Sequence, residues 1–407
     1  MAGSLSGKDY FFYRDALKDL SLPLAFVDLD RFDANVSYVA STQKKTGKTI
    51  RIGSKSVRCL SLLKRIFEVG GDCYKGILSF SVQEAKYLTL NGFDDIIIAY
   101  PSIQRPDLKL LSEMTAQGKT VSLMADCMEH LDAMSEAGKS LGVRLKACID
   151  VDMSYRPAGS KIHLGVRRSP LRSVEDVVSL ARYAKDLPGV EIDSIMGYEA
   201  HIASLPDNTP GKAFKSLLIR GLKNLSVREL TKRRDSVVSA LKKEGINLRA
   251  VNGGGSGSLV SSGADQDLTE VTAGSAFYGP LLFHHFQEVK FNPSAFFALQ
   301  IVRKPAPRMV TCHGGGYVAS GSAGVDKLPA PVLPEGLKLL PMEGAGEVQT
   351  PMMLPEACPP LEIGDPVIFQ HAKAGELCER FNELHLIKNG RIVDKALTYR
   401  GNGHSFL

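Results

Sequence analysis

Between about residue 24 and residue 275, the sequence alternates short apolar runs with segments of helical periodicity. Nine of these runs are predicted to be β-strands, and they do not alternate polar and apolar residues with a period of two. Strands that helices cover on both faces have such continuous apolar runs. The nine runs are LAFVDLD, TIRIGS, ILSF, DIIIAY, TVSLMAD, VRLKACIDVD, VEIDSIMGY, LRAVNGG and LTEVTAG. The pattern predicts an α/β fold in which eight of them close a parallel (β/α)8 barrel of the TIM type and the first is left over.

The pattern changes after about Phe283, because helical periodicity fades and proline and glycine become frequent. Stretches such as KPAPR, HGGGYVASGSAG and PEACPPLEIGDP separate short strand candidates, among them DPVIFQH and ELHLIKNGRIVD. This predicts a second, mostly β C-terminal domain. We expect residues 1–30 to join that domain through the spare strand, residues 31–283 to form the barrel, and residues 284–407 to form the β-rich domain.

Composition excludes several classes of protein. The chain has 407 residues with a net charge of +6, and it has no basic block of the kind that binds nucleic acid or membranes. Its seven cysteines are irregularly spaced, which is typical of reduced thiols. The first residues lack an apolar signal segment, and no apolar run approaches the ~20 residues of a membrane span. We therefore expect a cytoplasmic enzyme with no nucleic-acid or membrane partner.

Polar residues just beyond strand ends carry the chemistry of (β/α)8 barrels. Four groups occupy such positions: Lys55, Arg156, Tyr198 with His201, and the glycine-rich stretch at 252–258. Each alone has an ordinary explanation, since most lysines are surface charges and most such arginines form ion pairs. His201 alone is more often structural than catalytic. Their placement at one barrel mouth is what suggests a common site.

The stretch NGGGSGS, residues 252–258, follows a strand and precedes a predicted helix. Its glycines allow the backbone to approach an anion, and its amides could hold a phosphate; the alternative is a flexible turn. A lysine able to bind an aldehyde as a Schiff base and a phosphate cradle suit pyridoxal 5'-phosphate. We expect Gly254, Gly255 and Ser256 to bind that phosphate.

Several motifs resemble, in the same order, those of the D-threonine aldolase and D-serine dehydratase group, which has the alanine racemase type of pyridoxal phosphate barrel. They are LPLAFVDLDRFDANV, RIGSKSVR, DVDMSYR, MGYEAH, GGGSG with TEVTAGS, and FNELHLIKNGRIVD. The resemblance implies that Lys55 holds the cofactor and that Arg156 lies near its pyridine nitrogen. It also implies catalytic roles for Tyr198 and His201, a cofactor contact for Tyr198, and Ser275 at the phosphate. The loop after Arg156, which contains IHLGVRRSP, is longer than the pattern of that group.

Members of that group carry a His-x-Cys or His-x-Asp motif near the C-terminus that binds a divalent metal ion. The corresponding region here reads FQHAKAGELCERFNELH. Aligned without a gap, Glu376 and Cys378 fall at the ligand positions; with an insertion, His371 and Cys378 do. We expect His371 and Cys378 to bind the metal, because imidazole and thiolate suit zinc, with manganese or magnesium as other choices. The alternative is a loop with a buried thiol and solvated charges.

The resemblance implies a lyase that acts on a D-3-hydroxy amino acid, by retro-aldol cleavage or by β-elimination and deamination. A metal ion would bind the β-oxygen in either path. The alternatives are an amino-acid racemase, for which Tyr317 is the candidate second base, and a non-catalytic pyridoxal-phosphate-binding homeostasis protein, which is usually a single barrel. A homodimer is also implied, and the segment FYGPLLFHHF is a candidate for packing between domains or chains.

Overall fold

Eight parallel strands close into a barrel in the computed structural model, which describes residues 5–157 and 159–407. The first strand of the chain, β1 (Leu24–Asp28), lies outside the barrel. The barrel strands are β2 (Thr49–Gly53), β3 (Tyr74–Ser79), β4 (Ile96–Ile98), β5 (Val121–Ala125), β6 (Leu145–Asp150), β7 (Val190–Gly197), β8 (Ala250–Gly253) and β9 (Glu270–Ala273). Closure occurs where β2 pairs with β9, with Ile50 opposite Val271. The predicted barrel and the spare first strand are both confirmed.

Helices between the strands cover the outside of the barrel, which explains why the strands are apolar on both faces. The described helices are α1 (Gly7–Leu17), which precedes β1 and packs on that strand, and then α2 (Leu29–Lys44), α3 (Leu60–Gly70), α4 (Val82–Leu90), α5 (Arg105–Ala116), α6 (Met128–Ser140), α7 (Val174–Lys185), α8 (Ala200–Ala203), α9 (Ala213–Lys243) and α10 (Leu259–Gly263). Ser81 caps α4 by accepting a hydrogen bond from the amide of Glu84, as its sequence spacing predicts.

The second domain is a nine-stranded sheet that includes β1. Its other strands are β10 (Ala295–Ala306), β11 (Met309–His313), β12 (Ala330–Leu333), β13 (Lys338–Leu339), β14 (Gln349–Met353), β15 (Pro366–Gln370), β16 (Glu383–Lys388) and β17 (Arg391–Leu397). Strand β1 pairs antiparallel with β10 and parallel with β16. The spare strand therefore belongs to the mostly β domain, and α2 leads the chain back from it to the barrel.

The aromatic segment 277–286 joins the two domains within the chain. Phe277, Phe283 and Phe286 are buried. The amide of Leu281 donates to the carbonyl of His371 at 3.2 Å, and the next amide donates to the carbonyl of residue 372 at 3.2 Å. This pairing holds the segment after β15 at the mouth of the barrel.

No helix within residues 5–157 and 159–407 combines the length and the apolar character needed to cross a lipid bilayer. All seven cysteines are free. The described fold therefore depends on packing and not on disulfide bonds.

Candidate active site

A cavity of about 1350 Å³ lies at the carboxyl ends of the barrel strands, between the barrel and the second sheet. Its barrel side includes Lys55, Ser56, Tyr100, Tyr198 and Ser275. Cavities that bind small ligands usually measure about 300–1,000 Å³. This one has room for a cofactor and a substrate together.

Lys55 lies in a single 3-10 turn, Ser54–Ser56, directly after β2. Its side chain is exposed to the cavity. The hydroxyl of Ser54 donates to the carbonyl of Leu78 at 3.0 Å and fixes the turn to the next strand. On the other side the segment after β15 touches the turn, since a Cβ on Gly375 would lie 2.4 Å from the carbonyl oxygen of Lys55. The predicted lysine therefore stands at a cavity wall and is positioned from both domains.

The loops after β8 and β9 meet beside the cavity, which Ser275 of the second loop lines. The hydroxyl oxygen of Ser256 accepts hydrogen bonds from the amides of Gly274 and Ala276 at 3.2 and 3.0 Å. The hydroxyls of Ser275 and Ser56 are 3.1 Å apart. Within the described residues, the backbone amides of Ser256 and Ser275 donate to no protein acceptor. Two free amides on adjoining loops form a site that fits a phosphate.

Gly254 and Gly255 shape this loop in a different way from the one predicted. The amide of Gly254, at φ +75°, donates to Glu199 at 2.5 Å, and the amide of Gly255 donates to the Ser258 hydroxyl at 3.0 Å. Neither amide is therefore free for a ligand. A Cβ on Gly255 would lie 3.3 Å from the ring of Tyr198, so the glycine allows close packing against that tyrosine. Ser256 and Ser275 fit the phosphate better than the two glycines do.

Tyr198, for which a cofactor contact is predicted, lines the cavity. Its hydroxyl is 3.0 Å from the hydroxyl of Ser204, and burial raises the pKa of its phenol. The guanidinium of Arg168 lies 5.9 Å from the Tyr198 ring centroid and 5.5 Å from that of Tyr100. Arg168 also donates two hydrogen bonds to Asp150 at 3.0 and 2.8 Å. Burial raises the pKa of Asp150 to about 6, although Arg168 opposes the shift.

Arg156 does not line the cavity. It binds Asp152 at 2.6 Å and donates to the hydroxyl of Ser154 at 2.9 Å, and Arg172 approaches the same carboxylate at 3.4 Å. This cluster holds the loop between β6 and α7 together. The arginine of this loop that stands beside the cavity wall is Arg168, which the sequence prediction missed. Its signal was the pair of arginines in VRRSP, within the longer loop.

His201, predicted to be catalytic, also lies outside the cavity lining. One ring nitrogen contacts the hydroxyl of Ser226 on α9, and the other is buried without a partner among the described residues. Burial lowers the pKa of the imidazole to about 4, so the ring is neutral at pH 7. The histidine links α8 to α9, which supports a structural role.

Residues 27–281 match the family model described as "Alanine racemase, N-terminal domain". The chain belongs to this family. The matched range contains every barrel strand as well as Lys55, Tyr198, Ser256 and Ser275. The family match therefore includes the barrel and these four residues of the candidate site.

Among curated proteins, the chain is similar to a D-threonine aldolase of Arthrobacter sp., with 24% identity over 74% of this chain and 73% of that protein. It is also similar to a 3-hydroxy-D-aspartate aldolase of Paracoccus denitrificans, with 22% identity over 63% of this chain and 60% of that protein.

Two solved structures have the same fold. D-threonine aldolase from Filomicrobium marinum aligns with a TM-score of 0.80 and 17% identity over 95% of this chain and 96% of that chain. D-threo-3-hydroxyaspartate dehydratase from Delftia sp. HT23 aligns with a TM-score of 0.71 and 16% identity over 94% and 98%. Both cover the barrel and the second sheet, and they show the fold alone.

The predicted metal ligands do not meet at the cavity. His371 is buried, both of its ring nitrogens lack a partner among the described residues, and burial lowers its pKa to about 4. Cys378 is buried as well, with its thiol 3.3 Å from the carbonyl of Val57 and 3.7 Å from the hydroxyl of Tyr278. Burial raises the pKa of this thiol to about 12. Neither residue lines the cavity.

A third ligand for this pair is also missing from the part of the chain that the structure describes. There, three His, Cys, Asp or Glu side chains bring their donor atoms within 4.8 Å of one another at Asp126, Cys127 and His130. That group follows β5 and does not line the cavity. Glu376, the alternative ligand, does line it, and one of its carboxylate oxygens accepts from the amide of Ser320 at 2.8 Å. The predicted pair, His371 and Cys378, therefore presents no donor set for a divalent ion to the cavity.

Proposed function

We propose that this chain is a pyridoxal-phosphate-dependent lyase that cleaves a D-3-hydroxy amino acid. The observation that carries the proposal is that Lys55 and Ser275 line the same cavity. The backbone amides of Ser275 and of Ser256, on the loop bonded to it, have no protein acceptor among the described residues. The two sequence relatives are, by name, aldolases of D-threonine and of 3-hydroxy-D-aspartate. The chain is accordingly an enzyme of the amino-acid lyase type.

Three groups that line the cavity or lie directly behind its wall suit pyridoxal phosphate. Lys55 is the residue that would bind its aldehyde carbon, and the amides of Ser256 and Ser275 would bind its phosphate. Arg168, supported by Asp150, is the candidate for the pyridine nitrogen. When bound, the cofactor supplies an electron sink for negative charge at Cα.

Side chains of the protein itself would move protons, set the charge of the ring nitrogen and exclude water. Lys55 is free to move a proton at Cα once the substrate amine takes its place. Arg168 stays charged at all working pH values, so it keeps a neighbouring ring nitrogen unprotonated and limits the spread of charge. The wall from the second sheet limits the access of water to the reacting atoms.

The lyase has two possible outcomes. Breakage of the Cα–Cβ bond gives an aldehyde and a smaller amino acid, whereas loss of the α-proton and of β-hydroxide gives an α-keto acid and ammonia. We favour cleavage of Cα–Cβ, because both sequence relatives are named as aldolases.

The racemase is less well supported. It requires a second base on the opposite face of the cofactor, and Tyr317 was the candidate. The ring of Tyr317 packs 5.0 Å from Phe297 and 5.2 Å from Phe381 in its own chain, and it does not line the cavity. A vitamin-homeostasis protein of the single-barrel kind would not have the nine-stranded second sheet.

We also propose that the chain works as a homodimer. The first half of α9 exposes a row of apolar side chains, and a monomer rarely leaves such a patch uncovered. Their exposed fractions are Phe214 75%, Leu217 59%, Leu218 53%, Leu222 41% and Leu225 52%. This helix follows residues 204–206, which line the cavity, so a partner on this face would lie near its mouth.

The experiment that tests the function supplies the purified protein with pyridoxal phosphate and then D-threonine, D-serine or D-alanine. We expect a yellow protein whose cofactor becomes fixed by borohydride, and aldehyde release from D-threonine. Lys55→Ala should abolish the borohydride-fixed cofactor, while Lys75→Ala, an exposed lysine of β3, should not. Racemisation of D-alanine without cleavage of any 3-hydroxy amino acid would contradict the lyase. A reducible linkage that survives Lys55→Ala would contradict the lysine assignment.

A further inference from the structure

The second sheet contributes a wall of the cavity that carries charged side chains opposite the lysine turn. Lys373 and Glu376 both line the cavity. Between them, Gly375 lies so close to Lys55 that a Cβ would approach its carbonyl oxygen to 2.4 Å. Residues 373–376 are therefore packed directly on the turn that presents Lys55.

One exposed residue, Ser320, holds both charged side chains in place. The ammonium of Lys373 donates to its carbonyl oxygen at 2.6 Å, and a carboxylate oxygen of Glu376 accepts from its amide at 2.8 Å. An ammonium has three N–H donors. Among the described residues, no other hydrogen-bond acceptor and no carboxylate within 4.0 Å takes up the rest, so Lys373 keeps donors and charge for a ligand.

Lys327 is the neighbouring cation on this wall, and its situation differs. It is ion-paired with Asp326, the residue before it. A Cβ on Gly321, at φ +115°, would lie 3.3 Å from Cε of Lys327 and 3.5 Å from the ammonium nitrogen of Lys373. The absence of a side chain at Gly321 thus leaves space beside the ammonium of Lys373. Lys327 is a suitable control for Lys373, because Asp326 already balances its charge.

The wall also differs from the predicted metal ligands in what it presents to the cavity. His371 and Cys378 are buried behind it, whereas Lys373 and Glu376, which lie between them in sequence, face the cavity. The chain places a fixed ammonium group at the wall where the resemblance led us to expect a metal ion.

We propose that Lys373 binds the β-oxygen of the substrate, in place of a metal ion, through a hydrogen bond from its ammonium group. This inference rests on the proposed function. The ammonium keeps its own proton and stabilises the alkoxide that forms when the β-hydroxyl gives up its proton to water. As the Cα–Cβ bond breaks, the alkoxide electrons form the aldehyde C=O and the bonding pair passes to Cα. Ser320 and Glu376 act only by positioning the lysine. Removal of one such donor from an oxyanion site typically lowers kcat about 10²- to 10³-fold.

The test compares Lys373→Met with Lys327→Met, which removes the same charge from the same wall. On the cofactor-loaded enzyme, we expect Lys373→Met to lower the rate of cleavage about 100-fold or more. Its affinity for D-alanine, which has no β-oxygen, should stay within about threefold when followed by the cofactor's visible absorbance. Lys327→Met should change both quantities by less than about threefold, and Lys373→Arg, which keeps the charge, should recover part of the cleavage rate.

Elemental analysis and chelation form the second arm of the test. We expect far less than one divalent ion per chain, and a cleavage rate that a chelator does not change. One tightly held ion per chain, or loss of cleavage on chelation with recovery on adding Mn²⁺ or Zn²⁺, would overturn the inference. So would equal losses of cleavage and D-alanine binding in Lys373→Met, because these would assign the lysine to the carboxylate or the cofactor.

The failure of this inference is distinguishable from failure of the proposed function. A wild-type protein that cleaves a 3-hydroxy amino acid while Lys373→Met cleaves it equally well would refute the role of Lys373 alone. A wild-type protein that binds the cofactor but cleaves no 3-hydroxy amino acid would refute the proposed function, and this inference with it.

Discussion

Arg156 and Arg168 belong to the same loop, but they make different contacts and we expect them to have different roles. Arg156 binds Asp152 away from the cavity, whereas Arg168 binds Asp150 and lies against the ring of the cavity residue Tyr198. We expect Arg168→Met to lower turnover at least about 100-fold and to alter the cofactor's visible spectrum, because a donor at the ring nitrogen is lost. Arg156→Met should keep the spectrum and most of the turnover. The visible spectra and kcat values of the two variants check this prediction. A changed spectrum and low turnover in Arg156→Met, with neither in Arg168→Met, would assign the cofactor contact to Arg156.

His201 gives a prediction about the pH dependence of stability. An unfolded imidazole takes up its proton near pH 6.5, but burial lowers the pKa of His201 in the folded chain to about 4. Between these values the unfolded state binds more protons, so the free energy of unfolding decreases as the pH falls. The loss is at most about 3 kcal/mol, and less because the ring is partly exposed.

The matched variant is His201→Gln, whose amide can still bond to Ser226 but does not titrate. We expect urea unfolding from pH 7 to pH 4.5 to cost the wild type more stability than the variant. Asp150, whose pKa is raised to about 6, acts in the opposite direction, since its folded form gains stability as the pH falls. That contribution is common to both proteins and cancels in the difference. Equal slopes would mean that His201 becomes charged in the fold at its ordinary pKa.

The loop after β8 depends on a buried charge cluster contributed by α9. Arg234, with a side chain 2% exposed, binds Glu199 and Asp265, and Glu199 in turn accepts from the amide of Gly254. Arg234→Met leaves two buried carboxylates without their partner, which should cost about 3–5 kcal/mol. Cofactor affinity should fall even at temperatures where the chain stays folded. Urea unfolding and cofactor titration measure the two effects.

The control for Arg234 is Arg182→Met on α7, which removes an ion pair with Glu244 at the surface. Solvent and salt screen such exposed pairs, so this variant should unfold almost as the wild type does. A similar small cost for Arg234→Met would mean that α9 does not hold the β8 loop through this cluster.

The strands of the barrel could be predicted because each is a local pattern of apolar residues between helical segments. Lys55 could be placed because it directly follows one of these strands. Lys373 could not, since its ammonium is held by Ser320 and its segment packs through Gly375 on the Lys55 turn, and both partners are far away in sequence. The position of His201 could not be predicted either, because a strand end does not specify which way the next short helix turns its side chains, and here His201 contacts α9.

Exposed apolar side chains lie on one side of the whole molecule, beside the cavity, and they indicate where a second copy would bind. Val325 at the cavity rim is 87% exposed, and the apolar row on α9 begins just beyond the same cavity. Burial of apolar surface contributes about 25 cal/mol per Å², so a charge placed within the row should oppose association. We expect Leu218→Asp to convert a dimer into a species with the chain mass of 44.1 kDa in sedimentation velocity.

Leu90→Asp is the matched control, because Leu90 is 71% exposed but lies on α4, away from the row. This variant should remain dimeric. If the partner covers the cavity mouth and excludes water, the monomer formed by Leu218→Asp should also lose turnover while it keeps its fold, because a wet cavity weakens every electrostatic contact with the substrate. A wild type that is monomeric and fully active at nanomolar concentration would contradict the dimer. A dimer that persists in Leu218→Asp would move the interface to another face of the chain.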